Sequence, residues 1–308
     1  MNTADPELAV TLCGIRLRNP VIAASGTFGY GIEFEKLVDL NELGGLVVKG
    51  LSREPIEGNP APRIYETAAG MLNSVGLQNI GVRAFVADKL PLLARLQTAV
   101  FANIFGYESE DYVEVVRVLE DYPGLAGYEL NVSCPNTRHG GIYFSSDPVL
   151  LSEVVTAVKR VARRPVLVKL SPNVSAIEPL ARAAEESGAD ALSLVNTFVA
   201  LSIDARTRRP RMGAGFGGLS GPAIKPIALR LVCQAARVVK IPVVGLGGIV
   251  SGIDAAEFLI AGASAVEVGT AIFADPRAPL RIAGELGTFL REQKIAKVEE
   301  LVGTLKLS

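Results

Sequence analysis

Eight short apolar runs punctuate the chain: VIAAS (21–25), GLVVKG (45–50), AVFANIF (99–105), YELNVS (128–133), VLVKL (166–170), ALSLVN (191–196), VVGLGGI (243–249) and AVEVG (265–269). Strands this continuously apolar are buried on both faces, which predicts a parallel sheet with helices outside it. The segments between them carry helical periodicity. Over 148–162, Leu151, Val154, Val158 and Val161 share one side, with Asp147 placed to cap the helix and Pro148 suited to its first turn. Ser175 with Glu178, and Ser251 with Asp254, have capping-box spacing ahead of further helices. Over 223–239 the apolar face runs through Ile224, Ile227, Leu231, Ala235 and Val238. Eight strand–helix units predict an α/β fold of the TIM, or (β/α)8 barrel, kind. A doubly wound sheet shares the same alternation, because counting strands does not reveal closure. AVTLCGIRLRN (9–19) reads as a small N-terminal hairpin turning at Cys13 and Gly14, placed against the barrel floor.

Three connections are long for such a barrel: 51–82, 134–147 and 198–220. They follow strands two, four and six, so in a barrel they rise from one rim, where catalytic groups collect. The first and third are rich in Gly and Pro, and the third carries the basic stretch RTRRPRMGAGFGG (206–218). Their coincidence on one rim predicts a cover over a ligand. No internal repeat or linker interrupts the pattern, so residues 1–308 are expected to form a single domain.

Composition narrows the partners. A net charge of -1 favours neither a nucleic acid nor a membrane surface. No apolar run approaches the roughly 18 residues needed to span a bilayer. The start, MNTADPELAVTL, has two acids and no long apolar run, unlike a signal peptide, and a cytoplasmic location is expected. The three cysteines, at 13, 134 and 233, are too few for a disulfide framework or a four-thiolate iron–sulfur cluster. His139 is the single histidine, so zinc-site spacing is absent and no metal is expected.

Candidate chemistry gathers at the strand ends. Lys49 ends the second strand, Asn103 lies in the third, Asn131 and Cys134 close the fourth, Lys169 lies in the fifth, and Asn196 and Thr197 close the sixth. A lysine on an apolar strand needs a counter-charge, since a lone desolvated ammonium costs several kcal/mol. Either lysine alone is equally well read as snorkelling or internally paired. Two lysines with three asparagines at comparable depth point instead to a flat polar heterocycle or a carboxylate. GLGGI (245–249) and VGTAIF (268–273) follow strands seven and eight, where barrels bind phosphate through backbone N–H groups. No GxGxxG follows the first strand, which disfavours a dinucleotide-binding Rossmann unit.

Cys134 stands in ELNVSCPNTRHGG (129–141), where a strand gives way to a polar loop. A thiol serves as a base when positive neighbours lower its pKa. The adjacent Ser133 is a rival that strand alternation would send in a different direction.

Long ordered stretches of the chain resemble the FMN-containing catalytic subunits of NAD-linked dihydroorotate dehydrogenases. They are NPVIAASGTFGYG (19–31), GNPAPRIYETAAGMLNSVGLQN (58–79), ELNVSCPNTRHGG, VNTFVALSIDARTRRP (195–210), GGLSGPAIKP (217–226) and GLGGI. The resemblance implies that Cys134 takes the proton from C5 of dihydroorotate while C6 delivers hydride to FMN. It implies that Lys49, the run Asn73, Ser74, Val75, Gly76 and Leu77, Asn131, Asn196 and Thr197 hold the substrate. It further implies that Ser25, Lys49, Gly50, Asn103, Asn131, Lys169, Val195, Gly221, Gly247, Gly248, Gly269 and Thr270 line FMN, with Lys169 stabilising negative charge on the ring. By the same resemblance a thiol base sets the chain apart from the membrane-associated relatives, which use serine, and the HGG and IDARTRRP segments resemble the class working with an FAD and [2Fe–2S] electron-transfer subunit. The implied assembly is a heterotetramer built on a homodimeric catalytic core, with NAD as final acceptor. A homodimer reducing fumarate is the close alternative. A dihydropyrimidine or dihydrouridine reductase, or a non-catalytic barrel binding a phosphate ligand, shares parts of the pattern. Gly50 is one departure, standing where the family pattern has alanine, and is expected to loosen the local backbone.

Overall fold

The computed structural model of the chain describes residues 5–133, 135–136 and 142–307. Eight parallel strands close a barrel in chain order: β1 (Val21–Ala23), β2 (Gly45–Leu51), β3 (Ala99–Ile104), β4 (Gly127–Asn131), β5 (Val166–Lys169), β6 (Ala191–Leu194), β7 (Val243–Leu246) and β8 (Ala265–Val268). Pairing of β8 with β1, Glu267 beside Ile22, shuts the ring and excludes the doubly wound alternative. Each apolar run of the sequence supplies one strand, and side chains on both faces are buried. Leu46, Val48, Leu130, Val168, Leu192, Val244 and Val266 are fully enclosed, each burial contributing roughly 1.5–3 kcal/mol.

The helices follow the sequence periodicity with two corrections. Pro148–Lys159 buries Leu151, Val154 and Val158, and Asp147 accepts hydrogen bonds from the amides of Val149 and Leu150. Val161 lies beyond its end and is half-buried. Gly252–Ile260 opens with the expected capping box between Ser251 and Asp254. Glu178–Glu186, however, starts at Ile177 without a side-chain cap, so the Ser175–Glu178 spacing is not used. The Glu178 carboxylate instead accepts from Gln234 Nε2 on the next helix at 3.0 Å, and Pro179 removes one of the amides a cap would serve. In Lys225–Ala236 the buried face runs through Ala228, Leu231, Val232 and Ala235, leaving Ile227 exposed. The buried face keeps Leu231 and Ala235 of the expected stripe and takes Ala228 and Val232 in place of Ile227.

The hairpin Val10–Leu12 and Ile15–Leu17 turns at Cys13 and Gly14, both with positive φ. Its Leu12 and Leu17 are buried. Cys13 Sγ donates to the carbonyl of Asp190, just ahead of β6, which sets the hairpin on the N-terminal floor.

At the opposite rim two of the long connections merge. Ile64–Thr67, Gly70–Asn73, Gly217–Ser220 and Phe198–Ala200 form one antiparallel sheet, with Asn73 opposite Gly218 and Phe198 opposite Leu219. Segments 145 residues apart thereby share one structure over the mouth. From the 134–147 connection, Pro135–Asn136 pairs with Ile142–Tyr143. No helix among the described residues is long and apolar enough to cross a membrane.

Candidate active site

A cleft of about 440 Å³ opens at the C-terminal mouth beneath that sheet, a size suited to a small-molecule ligand. Ser25 comes to it from the end of β1, Lys49 and Gly50 from β2, Asn103 from β3, Asn131 from β4 and Lys169 from β5. Val195, Asn196 and Thr197 follow β6, Gly247 and Gly248 follow β7, and Gly269 and Thr270 follow β8. The rim supplies Asn73, Ser74, Val75, Gly76, Leu77 and Gly221. Every anticipated site residue within the described part of the chain therefore lines one cleft. Cys134 lies outside the described residues.

The deep wall is charged. Lys169 Nζ lies 3.2 Å from Glu129 Oε1 and 3.1 Å from Glu267 Oε2, with all three side chains buried. Glu129 also accepts from Asn103 Nδ2 at 2.6 Å and Ser193 Oγ at 2.9 Å. Burial opposes ionisation of Glu129, but Lys169 and these donors outweigh it and hold its pKa below the usual carboxylate range. Burial likewise opposes the charge on Lys169, and the two carboxyls overcome it, raising its pKa. For Glu267, burial and then the neighbouring Glu129 push the carboxyl up to about 8, against the pull of Lys169. Lys169 is thus internally compensated, so its presence is no sign by itself of an anionic ligand.

Lys49 differs. Its ammonium has no carboxylate partner among the described residues, and burial, with a smaller contribution from Arg63, lowers its pKa.

The amide corner is internally ordered. Asn196 Nδ2 donates to Asn131 Oδ1 at 3.2 Å and to Ser133 Oγ at 3.1 Å, while the Thr197 amide donates to Asn196 Oδ1. Tyr112 Oη fixes the Asn131 carbonyl at 2.8 Å. Ser133 itself lines the cleft. Alternation gave no guide there because β4 ends at Asn131 and 132–133 form a turn. Over this corner, Asn73 Nδ2 donates to Gly218 O at 3.3 Å, joining the two rim loops. Arg63 staples the first loop through Asn59 O, Glu57 O and Gln78 Oε1.

Gly50 has a packing reason for lacking a side chain. A Cβ there would stand 2.8 Å from Asn103 Oδ1 and 3.2 Å from Phe105 Cδ1. Asn103 is already fixed by Glu129, so it cannot easily retreat. Gly50 sits inside β2, so close packing, and no loosened turn, accounts for it.

The opposite end is built from backbone. Gly248 has φ of +80°, and a Cβ there would meet Gly221 O and Lys225 Cβ at 2.8 Å. Gly247, at φ +125°, would press a Cβ to 2.7 Å from Ala228 Cβ. Only glycine allows this close approach. Lys225 is turned away into an ion pair with Asp254 and Glu257, 2.5 and 2.8 Å distant. The Lys225 head group is thus engaged by two carboxylates, and Gly247 and Gly248 line the cleft without side chains.

The family model described as dihydroorotate dehydrogenase matches residues 7–290. The chain belongs to the dihydroorotate dehydrogenase family. A Solibacter usitatus protein, provisionally named dihydroorotate dehydrogenase A (fumarate), is 80% identical over 301 residues, covering 98% of this chain and 99% of the relative. Proteins of Geobacter sulfurreducens and Pelobacter propionicus, each named dihydroorotate dehydrogenase B (NAD(+)), catalytic subunit, are 53% and 51% identical, again over 98% of this chain and 99% of each relative. Within this family fold, Glu129 and Glu267 are the residues sequence reading passed over. Their signal was an acid in each of two otherwise apolar strands, YELN and AVEV, available to the counter-charge that Lys169 required.

Proposed function

We propose that the chain is an FMN-dependent catalytic subunit that oxidises (S)-dihydroorotate to orotate in de novo pyrimidine biosynthesis. The observation that carries this reading is the meeting of the described motif residues in one cleft, lined by glycine backbone after β7 and β8 and by Lys49 and the side-chain amides of Asn103, Asn131 and Asn196. That polarity suits a flat heterocycle with a phosphate tail, lying against a carboxylate-bearing pyrimidine. FMN would be held by Gly221, Gly247, Gly248, Gly269 and Thr270 at its phosphate and by Ser25, Gly50, Asn103, Lys169 and Val195 along its ring. Bound there, it would supply a two-electron acceptor for the hydride leaving C6.

The protein's own groups supply the rest. Cys134 takes the C5 proton. Lys49 meets the substrate carboxylate, its desolvated ammonium gaining a partner, while Asn131, Asn196 and Thr197 donate to and accept from the pyrimidine. Asn73 to Leu77 cover the pocket, and the exclusion of water strengthens each polar contact beneath.

For the onward electrons, we favour a partner subunit carrying FAD and a [2Fe–2S] cluster, with NAD as acceptor and two copies of each chain in the assembly. The names of the relatives near 50% identity support it. The fumarate name of the 80% relative favours a second reading, a homodimer that reduces fumarate directly.

Anaerobic addition of dihydroorotate should bleach the flavin colour of the purified protein, and dihydrouracil should not. A protein that cannot take up FMN, or equal bleaching by both compounds, would overturn the assignment. Alone, the chain should reduce an artificial acceptor but not NAD, and its cognate partner should restore NAD reduction. Rapid fumarate turnover by the isolated chain would decide for the second reading.

A further inference from the structure

Beneath the cleft one ammonium faces two carboxyls, so the state of the second carboxyl sets the charge of the whole cluster. Glu129 is satisfied on both oxygens by Lys169, Asn103 and Ser193. Glu267 is not: Lys169 reaches its Oε2 at 3.1 Å, while its buried Oε1 receives no donor from the described residues. Glu267 and Glu129 both lie against Lys169 Nζ, at 3.1 and 3.2 Å, so two buried carboxyls share one ammonium and oppose each other's ionisation. Glu129 already has its donors, so the proton belongs on Glu267. Glu267 lines the cleft and is 1% exposed.

We propose that Glu267 is a neutral acid that keeps the cluster with Lys169 and Glu129 uncharged, and that negative charge arriving in the cleft binds this proton more tightly. The protonated cluster sums to zero, whereas ionised Glu267 makes it -1, directly beneath a group about to become anionic. At the few-ångström separations of a buried site such repulsion is large. Linkage makes the coupling reciprocal: whatever Glu267 ionisation does to an anion, the anion does to the Glu267 proton. The charged groups acting on Glu267 are Glu129 from β4 and Lys169 from β5, with Lys49 from β2 lining the same cleft. Ser193 from β6 and Asn103 from β3 are neutral, and its ladder neighbours Ile22 and Leu246 are apolar. Hydride from the substrate brings two electrons and one proton, leaving one added negative charge in the cleft. Above the pH at which Glu267 ionises, near 8, a second proton is then drawn from water onto its carboxylate.

This inference rests on the flavin reading, and the test separates the two. Spectroelectrochemical titration of the FMN-loaded protein between about pH 6.5 and about pH 9.5 counts protons taken up per two electrons. Wild type should take up one below about pH 8 and approach two above it, and Glu267→Gln should take up one throughout. A residue that only packs the barrel would leave that count unchanged. In parallel, the infrared carbonyl band of a protonated carboxylic acid should be present in wild type at neutral pH, fade near pH 8, and be missing in Glu267→Gln. Should the variant not fold, the wild-type proton count and band decide alone. An unchanging count in wild type, the same count in both proteins, or no titrating band would overturn the role of Glu267. Failure to bind FMN at all would sink the cofactor reading, and the band in the flavin-free protein would still test Glu267.

Discussion

Replacing Lys169 with methionine removes the only ammonium among the described residues that touches Glu129 and Glu267, while roughly keeping the volume of the aliphatic stem. Glu129 is fully buried and Lys169 nearly so, and three N–O distances of 3.1–3.4 Å are lost. Breaking such a pair from one side typically destabilises by about 3–5 kcal/mol, since a carboxylate is left in the interior without its cation. The penalty depends on pH in a defined direction. In wild type the Glu129 pKa is depressed, so its contribution is complete above the unfolded carboxylate pKa and disappears as pH falls through the folded one. Without the ammonium, burial dominates and the Glu129 pKa is raised. The variant then binds more protons folded than unfolded, and gains stability as pH falls from about 8 toward about 5. The gap between the proteins should therefore be widest at about pH 8 and narrow on acidification. Denaturant unfolding of both flavin-free proteins across that range measures it, avoiding the stabilisation that bound ligand adds. A loss under about 1 kcal/mol at neutral pH, or a gap constant with pH, would refute the account of a buried, cation-dependent carboxylate.

Three further changes probe the rest of the cleft. Gly248→Val forces a side chain against Gly221 O and Lys225 Cβ at a positive φ, and should give folded protein lacking FMN; full flavin occupancy at wild-type affinity would contradict the phosphate role. Cys134→Ala should retain FMN but slow its reduction by dihydroorotate roughly 10²–10⁴-fold, and Cys134→Ser should be slow near neutrality and recover as pH rises; near-wild-type reduction by the alanine variant would remove Cys134 from the mechanism. Asn73→Ala deletes the bond to Gly218 O, about 1 kcal/mol of loop pairing, and should weaken orotate binding with flavin content intact; unchanged orotate affinity would place Asn73 outside the site.

Local pattern was sufficient for much of this protein. A strand buried on both faces must be apolar along its whole length, so eight runs announced eight strands, and Asp147–Pro148 and Ser251–Asp254 announced helix starts through chemistry that acts within one turn. The ordered motifs identified the residues of the cleft before their positions were known. What depended on partners distant in sequence was not legible. Closure of the ring rests on β8 meeting β1, the buried face of Lys225–Ala236 was chosen by its neighbours, and Glu178 abandoned its cap for Gln234. The acids at 129 and 267 could be read as a pair only after the barrel had folded β4, β5 and β8 around one interior, because electrostatic energy depends on distance in space and burial. The sequence by itself determined which elements form and which residues gather at the strand ends; the tertiary structure decided which charges face each other, so that Lys169 is paired with two carboxyls while Lys49 has no carboxylate partner among the described residues.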